Sequence, residues 1–356
     1  MASHAATVIQ TTWDKLQTTK AWPHVCWREA YVYSQLFAAA ASGCGENWED
    51  GLGRVDRAVI MGAPETFTVP LAAWIDERLR STGTVADVLS ITQSLPLTCP
   101  DGLAPTISHP IPVADAPPSD RFAREYLGQH LPVVLTGLAK GWPALTRWPN
   151  LRYLCSEYGH RTVPVEIGRH DDESWREELM SIRRLIVDYL APDVKRCEEN
   201  AGPIAPDRVA YLAQHQLFEH LPRLRDDIQT PQYTALGEKG PTHAWLGTTG
   251  TVTPLHFDSY DNLLMQVAGF KYVRLMSPEM TSKVQVGDDR PDTGIAAQHN
   301  LSKLDCESPD TTRYPEAASA EFVETVLGPG QTLFIPEGWW HHVRALTPSF
   351  SVNFWF

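Results

Sequence analysis

Apolar residues in the first part of the chain recur at every third or fourth position, which is the spacing of one face of an α-helix. Four stretches show this pattern, at residues 6–16, 24–41, 48–60 and 69–80. Helix-breaking residues separate them, at Trp22-Pro23, Gly43 to Gly45 and Gly62-Ala63-Pro64. The pattern predicts an all-α N-terminal domain over residues 1–93, built of antiparallel helical hairpins.

The next segment, residues 94–118, is rich in proline. Its prolines are Pro96, Pro100, Pro105, Pro110, Pro112, Pro117 and Pro118. Proline fixes φ and lacks a backbone N–H, so neither a helix nor a central strand is expected here. We predict a linker that lies extended over the following domain. The alternative is one long irregular loop inside a single domain.

After residue 118 the apolar pattern changes to short runs that are separated by turn residues such as Gly269 and Pro329-Gly330. These runs predict strands at 132–136, 162–167, 209–212, 251–256, 263–267, 272–275, 331–335, 343–345 and 350–354. Helices are predicted from Ser119 to about Gln129 and from Glu177 to Leu190, and residues 277–320 are predicted to be a polar insertion. Many short strands without alternating long helices favour an antiparallel sandwich or barrel over residues 119–356.

Composition narrows the class of protein. The 356 residues are 43% hydrophobic and 21% charged, which suits two globular domains. The net charge of −13 argues against direct nucleic-acid binding and favours a basic protein partner, although it can also serve solubility alone.

Targeting signals and cysteine spacing bear on the compartment. There is no apolar run long enough to span a membrane and no secretory signal pattern at the N-terminus. No basic cluster indicates a nuclear signal. The six cysteines are scattered singly and are predicted to be reduced thiols, so we expect a nuclear or cytoplasmic protein.

A candidate metal site begins with His256 and Asp258 on a predicted strand. Because side chains alternate across a strand, residues two apart face the same side, with Phe257 on the other. One imidazole and one carboxylate are two of the three ligands of an iron(II) facial triad. On ligand type alone, a zinc site with three protein ligands is also possible.

The third ligand is expected on a later strand, where His341 and His342 are both available. Neighbouring residues on a strand point in opposite directions, so only one of these imidazoles can join His256 and Asp258. The pattern alone does not choose between them.

The region after the linker resembles the JmjC-domain oxygenases, and within that family the lysine demethylase 8 type. Two motifs carry the resemblance most clearly: Thr253-Pro254-Leu255-His256-Phe257-Asp258 and Trp340-His341-His342-Val343-Arg344-Ala345-Leu346. Further similar stretches are residues 132–135, 161–166, 211–218, 244–247 and 269–275. The resemblance implies a double-stranded β-helix, the cupin-like jelly roll.

The resemblance also implies roles for individual residues. The third iron(II) ligand is expected to be His341, the residue that follows Trp340. The co-substrate 2-oxoglutarate is expected to bind Lys271 through its far carboxylate, with Tyr211, Thr253 and Asn262 as further partners. From pattern alone, Lys271 is a solvated lysine at a strand end. The resemblance further implies that Glu166 and Trp245 form an acidic and aromatic pocket for a substrate side chain.

The resemblance implies an iron(II)- and 2-oxoglutarate-dependent protein oxygenase that uses O2. The substrate is expected to be an arginyl residue of a protein, since a carboxylate at Glu166 suits a bidentate guanidinium. Demethylation of N-methyl-lysine, for example in histones, is the alternative with the same mechanism. An alternative of another class is a non-catalytic cupin module that binds a protein segment.

Overall fold

The computed structural model describes residues 2–18, 25–44, 47–81, 90–169, 175–284 and 300–356. Four helices form its N-terminal part: α1 (Ala2–Thr18), α2 (Val25–Cys44), α3 (Trp48–Ile60) and α4 (Glu65–Ser81). Each overlaps one of the four predicted helices, so the all-α character of this part is confirmed. His24, Gly45 and the Trp22-Pro23 breaker lie outside the described residues.

Helix α3 forms the core of this helical part. Its Leu52 and Val55 are fully buried and pack against Ala39 of α2 and against Ala72 and Ile75 of α4. These residues follow the three-to-four spacing that predicts the helices, so the apolar faces meet as the pattern requires.

Strands dominate the chain after the helical part. The described residues contain β1 (Val113–Asp115), β2 (Val133–Thr136), β3 (Thr162–Ile167), β4 (Arg176–Ser181), β5 (Ala210–His215), β6 (Thr242–Gly247), β7 (Val252–His256), β8 (Asn262–Ala268), β9 (Lys271–Met276), β10 (Val323–Leu327), β11 (Thr332–Ile335), β12 (Trp340–Ala345) and β13 (Ser349–Trp355). Short helices connect them: α5 (Ser119–Phe122), α6 (Ala144–Arg147), α7 (Leu151–Tyr158), α8 (Ile182–Leu185), α9 (Ala191–Glu198), α10 (Leu217–His220) and α11 (Pro222–Arg225).

The strands form two sheets. One has nine strands in the order β1-β2-β11-β8-β13-β6-β5-β3-β4, and the other has four in the order β10-β9-β12-β7. Between β7 and β13 the chain passes repeatedly from one sheet to the other, and Leu264 and Leu333 of the large sheet pack against Val273, Leu275 and Val343 of the small one. This is the predicted cupin-like double-stranded β-helix.

The central strand β8 shows why the sequence forms this core. All seven of its residues are buried, because the small sheet covers one face and a second hydrophobic cluster covers the other. The turn from β8 to β9 requires Gly269, whose φ is +74°. A Cβ there would lie 2.1 Å from the carbonyl oxygen of Pro348. The turn sets the register in which Lys271 begins β9.

The helix predicted from Glu177 to Leu190 is only half correct. Residues Arg176–Ser181 form β4, which pairs antiparallel with β3. The helix begins at Ile182, after the Ser181 hydroxyl accepts a hydrogen bond from the backbone N–H of Arg184. Tertiary pairing with β3 decides the conformation here, because apolar spacing over so few residues fits both structures.

The proline-rich segment packs against the strand-rich part. Leu95 is buried in its main hydrophobic cluster, and Ile111 lies in the cluster between the two sheets. Strand β1, within this segment, pairs in parallel with β2 at the edge of the large sheet. The segment thus adds an edge strand that the proline content did not indicate. The three domain boundaries stay predictions.

Strands β6 and β10 were also not predicted. Both are held mainly by their neighbours, since β6 pairs with β5 and β13 and β10 pairs with β9. The insertion at 277–320 carries two short 3₁₀ turns, Pro278–Lys283 and Pro315–Ser319, in its described residues. No helix in the described ranges is long and apolar enough to cross a membrane.

Candidate metal and co-substrate site

Two adjacent strands of the small sheet bring the predicted metal ligands together. His256 ends β7 and His341 lies on β12, directly opposite it in the antiparallel register. Asp258 follows β7 by two residues. Its carboxylate oxygens lie 3.8 Å from Nε2 of His256 and 3.6 Å from Nε2 of His341. One donor atom from each residue can therefore reach a common point, since these atoms lie within 4.8 Å of one another.

Backbone carbonyls fix the orientation of both imidazoles. Nδ1 of His256 is 2.8 Å from the carbonyl oxygen of Pro254, and Nδ1 of His341 is 2.9 Å from that of Trp339. A carbonyl only accepts, so each Nδ1 carries a proton and donates it. The two Nε2 atoms then present lone pairs, which is the arrangement typical of metal-binding histidines.

Burial adds to the suitability of this site for a cation. It raises the pKa of the Asp258 carboxyl and lowers the pKa of the His341 imidazole well below its ordinary value. A cation between two neutral imidazoles and a carboxylate offsets the cost of burying that carboxylate. The donor set therefore fits a divalent metal with open coordination positions.

His342 faces the other side of the small sheet. Its Nε2 lies 2.9 Å from Oε1 of Glu307, which belongs to the insertion and also accepts two hydrogen bonds from Arg344. The alternation of side chains on β12 thus separates the two neighbouring histidines. His341 joins His256 and Asp258, and His342 does not.

Lys271 is the buried cation of the same cavity. It lies at the start of β9, is 2% exposed, and donates from Nζ to the hydroxyl of Tyr211 at 3.3 Å. Among the described residues it has no ion-pair partner, and burial lowers its pKa to about 7. Burial also raises the pKa of Tyr211, so that phenol stays protonated. An unpaired buried lysine favours an anionic ligand, because a carboxylate restores the ammonium form.

Two asparagines of the cavity carry polar atoms that the described residues leave without a partner. They are Oδ1 of Asn262 on β8 and Nδ2 of Asn353 on β13. Buried polar groups are almost always hydrogen-bonded, so these atoms indicate room for a polar ligand. Thr253 lines the same cavity and forms a hydrogen bond with Tyr211. Nδ2 of Asn353 and the Thr253 hydroxyl can donate to a dicarboxylic keto acid, whereas Oδ1 of Asn262 requires a ligand that donates.

The two predicted substrate residues do not line one cavity. Trp245 on β6 lines the metal cavity, where its Nε1 donates to Oδ1 of Asn353 at 2.7 Å. Glu166 on β3 lines a second, smaller cavity, which also contacts Tyr211 and Thr251. Tyr211 therefore stands between them, and the single acidic and aromatic pocket expected from the sequence becomes two neighbouring cavities.

Three further residues with polar side-chain atoms line the metal cavity and were not predicted from the sequence: Gln214, Asn353 and Trp355. Asn353 lies on a predicted strand, but its position beside Trp245 depends on the pairing of β13 with β6. Gln214 has a φ of +45°, at an irregularity in the pairing of β5 with β6. A polar residue within an apolar strand was the available signal for Asn353; we find none for Gln214.

Comparisons with known proteins bear on the fold and the family of the chain. A model of the cupin-like domain family matches residues 118–356. The chain is similar to JmjC domain-containing protein F of Dictyostelium discoideum, with 30% identity over 98% of the chain and 86% of that protein. It is also similar to lysine-specific demethylase 8 of Danio rerio, with 34% identity over 99% of the chain and 87% of the relative. Jumonji C domain-containing protein 5 of Drosophila melanogaster is 34% identical over 85% of the chain and 72% of its own length.

Proposed function

This chain belongs to the cupin-like JmjC family of 2-oxoglutarate-dependent oxygenases, and we propose that it uses iron(II) to hydroxylate an arginyl residue of a protein. One observation carries the proposal furthest: a cavity lined both by His256, Asp258 and His341 and by the buried Lys271, which has no ion-pair partner in the described part of the chain. A metal alone requires no such lysine, whereas a metal-chelating keto acid with a second carboxylate requires both.

The residues of the chain have separate tasks in this reaction. His256, Asp258 and His341 would hold the metal through Nε2 and carboxylate oxygens, and Lys271 would bind the far carboxylate of 2-oxoglutarate beside the Tyr211 hydroxyl. Iron(II) and 2-oxoglutarate, when bound, would supply the oxidation of one substrate C–H bond by O2, with one oxygen atom entering the substrate and the other entering the succinate that forms with carbon dioxide from 2-oxoglutarate.

The polar lining of the cavity orients the co-substrate. Nδ2 of Asn353, which has no partner among the described residues, and the hydroxyl of Thr253 can donate to the co-substrate, whose oxygen atoms only accept. The apolar walls at Leu264 and Ile335 keep water from the reacting atoms. Binding and exclusion of water are thus the contribution of the protein itself.

Glu166 supports an arginyl substrate. It is half-buried, and burial raises the pKa of its carboxyl, although a hydrogen bond from Trp175 lowers it. In the described part of the chain, no cation pairs with it. Beside it, the Oγ1 atom of Thr251 is buried and has no partner among the described residues. A guanidinium donates to several acceptors at fixed angles, so it satisfies this arrangement better than a methylated ammonium.

Lysine demethylation is the second candidate function. Relatives from Danio rerio and Xenopus tropicalis are named lysine-specific demethylase 8. The aromatic rings of Tyr211, Trp245 and Trp355, which line the metal cavity, also suit a methylated ammonium. A cupin module without catalysis is the candidate of another class, and the intact ligand set with Lys271 argues against it.

Mass spectrometry distinguishes these functions. The protein is incubated with iron(II), 2-oxoglutarate, oxygen and two peptide sets, one with arginine and one with N-methyl-lysine. We expect one added oxygen atom on arginine, and loss of that product in Glu166→Gln, which keeps the side-chain shape. Loss of methyl groups from lysine with unmodified arginine would overturn arginine hydroxylation. Succinate formed in the absence of peptide would show that the enzyme itself is active.

A further inference from the structure

A carboxylate of the N-terminal helices is completely buried against the strand-rich part of the molecule. Asp56 on α3 is 0% exposed. It accepts hydrogen bonds from Nε and Nη2 of Arg161 at 2.8–3.1 Å, from the backbone N–H of Thr162 at 2.7 Å, and from Nε2 of His220 at 3.0 Å. Burial alone would raise its pKa, but Arg161 and His220 hold the pKa of Asp56 well below the usual range.

All three partners of Asp56 come from the strand-rich part. Arg161 immediately precedes β3, Thr162 is its first residue, and His220 ends α10, which follows β5. Arg161 also donates from Nη2 to the carbonyl oxygen of His220 at 3.0 Å. One carboxylate therefore ties the beginning of β3 to the segment that follows β5.

These two strands form the wall that faces a substrate under the proposed function. Glu166 on β3 pairs directly with Tyr211 on β5. Towards its end, β5 is irregular at Gln214, which has positive φ and lines the metal cavity. The metal ligands and Lys271, in contrast, lie on or beside strands of the other sheet.

A histidine pair continues the network to Gln214. Nδ1 of His220 lies 3.3 Å from Nε2 of His215, the residue that follows Gln214. Burial and the neighbouring His220 lower the pKa of His215 to about 3, so its ring is neutral and can form one N–H···N hydrogen bond with His220. The positive φ of a residue with a side chain is strained, and such strain persists only where surrounding contacts hold it.

We propose that Asp56 is a positioning residue for the substrate: through Arg161, Thr162 and the His220–His215 pair it fixes β3 and the end of β5, and with them Glu166 and Gln214. The N-terminal helices are then part of the catalytic unit rather than an appended module. This inference rests on the proposed function for the identity of the substrate, but the geometry that it assigns to Asp56 does not.

Asp76 provides a matched control. It lies on α4, is 5% exposed, and also ties the helices to the strand-rich part, through His160 and through Arg223 at 3.7 Å. His160 follows α7 and Arg223 belongs to α11, and neither lines the described cavities around the metal. Asp76→Asn thus removes a comparable contact between the same two parts without touching β5.

The test compares Asp56→Asn with Asp76→Asn in the full chain. Amide hydrogen exchange is measured without substrate, and steady-state kinetics use the arginyl peptide that the wild type oxidises. We expect exchange over residues 213–216 to accelerate about tenfold in Asp56→Asn alone, because the network that holds this end of β5 loses a hydrogen-bonded charge. We also expect the KM for peptide to rise several-fold, while the KM for 2-oxoglutarate and peptide-independent succinate formation stay within about twofold.

Other outcomes overturn the inference. A purely structural Asp56 would reduce the active fraction, so kcat would fall with both KM values unchanged, as expected for Asp76→Asn. Equal rates of amide exchange in Asp56→Asn and Asp76→Asn would also indicate that Asp56 has only a structural role. If Asp56→Asn does not fold, His220→Gln decides, because it keeps a donor for Asp56 but cuts the link to His215. An unchanged exchange rate at residues 213–216 in His220→Gln contradicts the proposal, whether or not any peptide is a substrate.

Discussion

At the scale of single residues, backbone carbonyls select which nitrogen of each imidazole faces the cavity. Pro254 and Trp339 each lie two residues before the histidine that they orient, so the tautomer is set locally within β7 and at the start of β12. The choice of His341 over His342 has an equally local cause, since strand alternation sends the two rings to opposite faces. The assignment of metal ligands stays a prediction until metal binding is measured.

Replacing each of the two neighbouring histidines separates their roles. We expect His341→Ala to lose iron(II) after anaerobic loading, because one of three ligands is removed. His342→Ala is expected to keep its iron and to lose about 1–2 kcal/mol of stability, because Glu307 loses one donor. Metal analysis and urea unfolding measure both effects. If His341→Ala retains its iron, or if only His342→Ala loses it, His341 is not the third metal ligand.

Lys271 predicts an unusual dependence of stability on pH. Its pKa is about 7 in the folded protein and near 10.5 when unfolded, so between these values the unfolded chain binds the extra proton. This group therefore adds stability as the pH rises from about 7, by up to about 1.4 kcal/mol per pH unit. Below pH 7 both states are protonated and its contribution is constant.

Urea unfolding of the wild type and Lys271→Met between pH 7 and 9 measures this contribution. We expect the slope of unfolding free energy against pH to be smaller in Lys271→Met. Saturating 2-oxoglutarate with iron(II), added without oxygen, should also reduce the wild-type slope, because a carboxylate keeps the lysine charged. Identical slopes in the two proteins would mean that Lys271 is not the titrating group.

At the scale of elements, local patterns predicted the strands that contain a run of apolar residues. Strands β8 and β11 are of this kind, and Asn262 of β8 and Ile335 of β11 line the metal cavity. Strand β6, which carries Trp245, was missed because its stability comes from pairing with β5 and β13 rather than from its own composition. Strand β4 was mistaken for helix for the same reason.

The separation of Glu166 from Trp245 could not be predicted from sequence either. Which side of Tyr211 each residue occupies depends on the register of three strands, β3, β5 and β6. Register is a property of the assembled sheet, and no single segment contains it. The resemblance to a family predicted which residues belong to the site, whereas their arrangement follows from the pairing of the strands.

Glu307 links the insertion at residues 277–320 to the small sheet through hydrogen bonds with His342 and Arg344 of β12. Burial raises the pKa of this carboxyl, but hydrogen bonds from His342 and Arg344 dominate and lower it to about 2. Its contribution to stability is therefore present above about pH 4.5 and is lost as the pH falls towards 2. We expect Glu307→Gln to lose about 2 kcal/mol at pH 7, because the ion pair with Arg344 is removed.

Urea unfolding at pH 7 and at pH 3 checks this prediction. The difference between wild type and Glu307→Gln should shrink at the lower pH. Glu316→Gln is the control, since Glu316 is 71% exposed and its contact with Lys283 spans 3.5 Å. Such a surface pair is expected to contribute less than about 1 kcal/mol to the free energy of unfolding. A constant difference at both pH values would mean that the charge of Glu307 is not the cause.

At the scale of the whole molecule, an acidic chain surrounds a cavity that carries the buried Lys271 and a set of ligands suited to a metal cation. The net charge of −13 favours a basic protein segment, and the half-buried Glu166 favours a guanidinium at its cavity. Asp56 of the helical part accepts a hydrogen bond from the first residue of β3, the strand that carries Glu166. The partner protein and a nuclear or cytoplasmic location remain predictions from the sequence.

Conversion of 2-oxoglutarate to succinate tests the central claim most directly. Folded wild-type protein with iron(II), oxygen and 2-oxoglutarate is expected to form succinate, and His256→Ala is expected to form none above the background without enzyme. His342→Ala, which leaves the three ligands intact, should retain the activity. Succinate formation by His256→Ala at the wild-type rate, or none from iron-loaded wild type with or without peptides, would contradict the account.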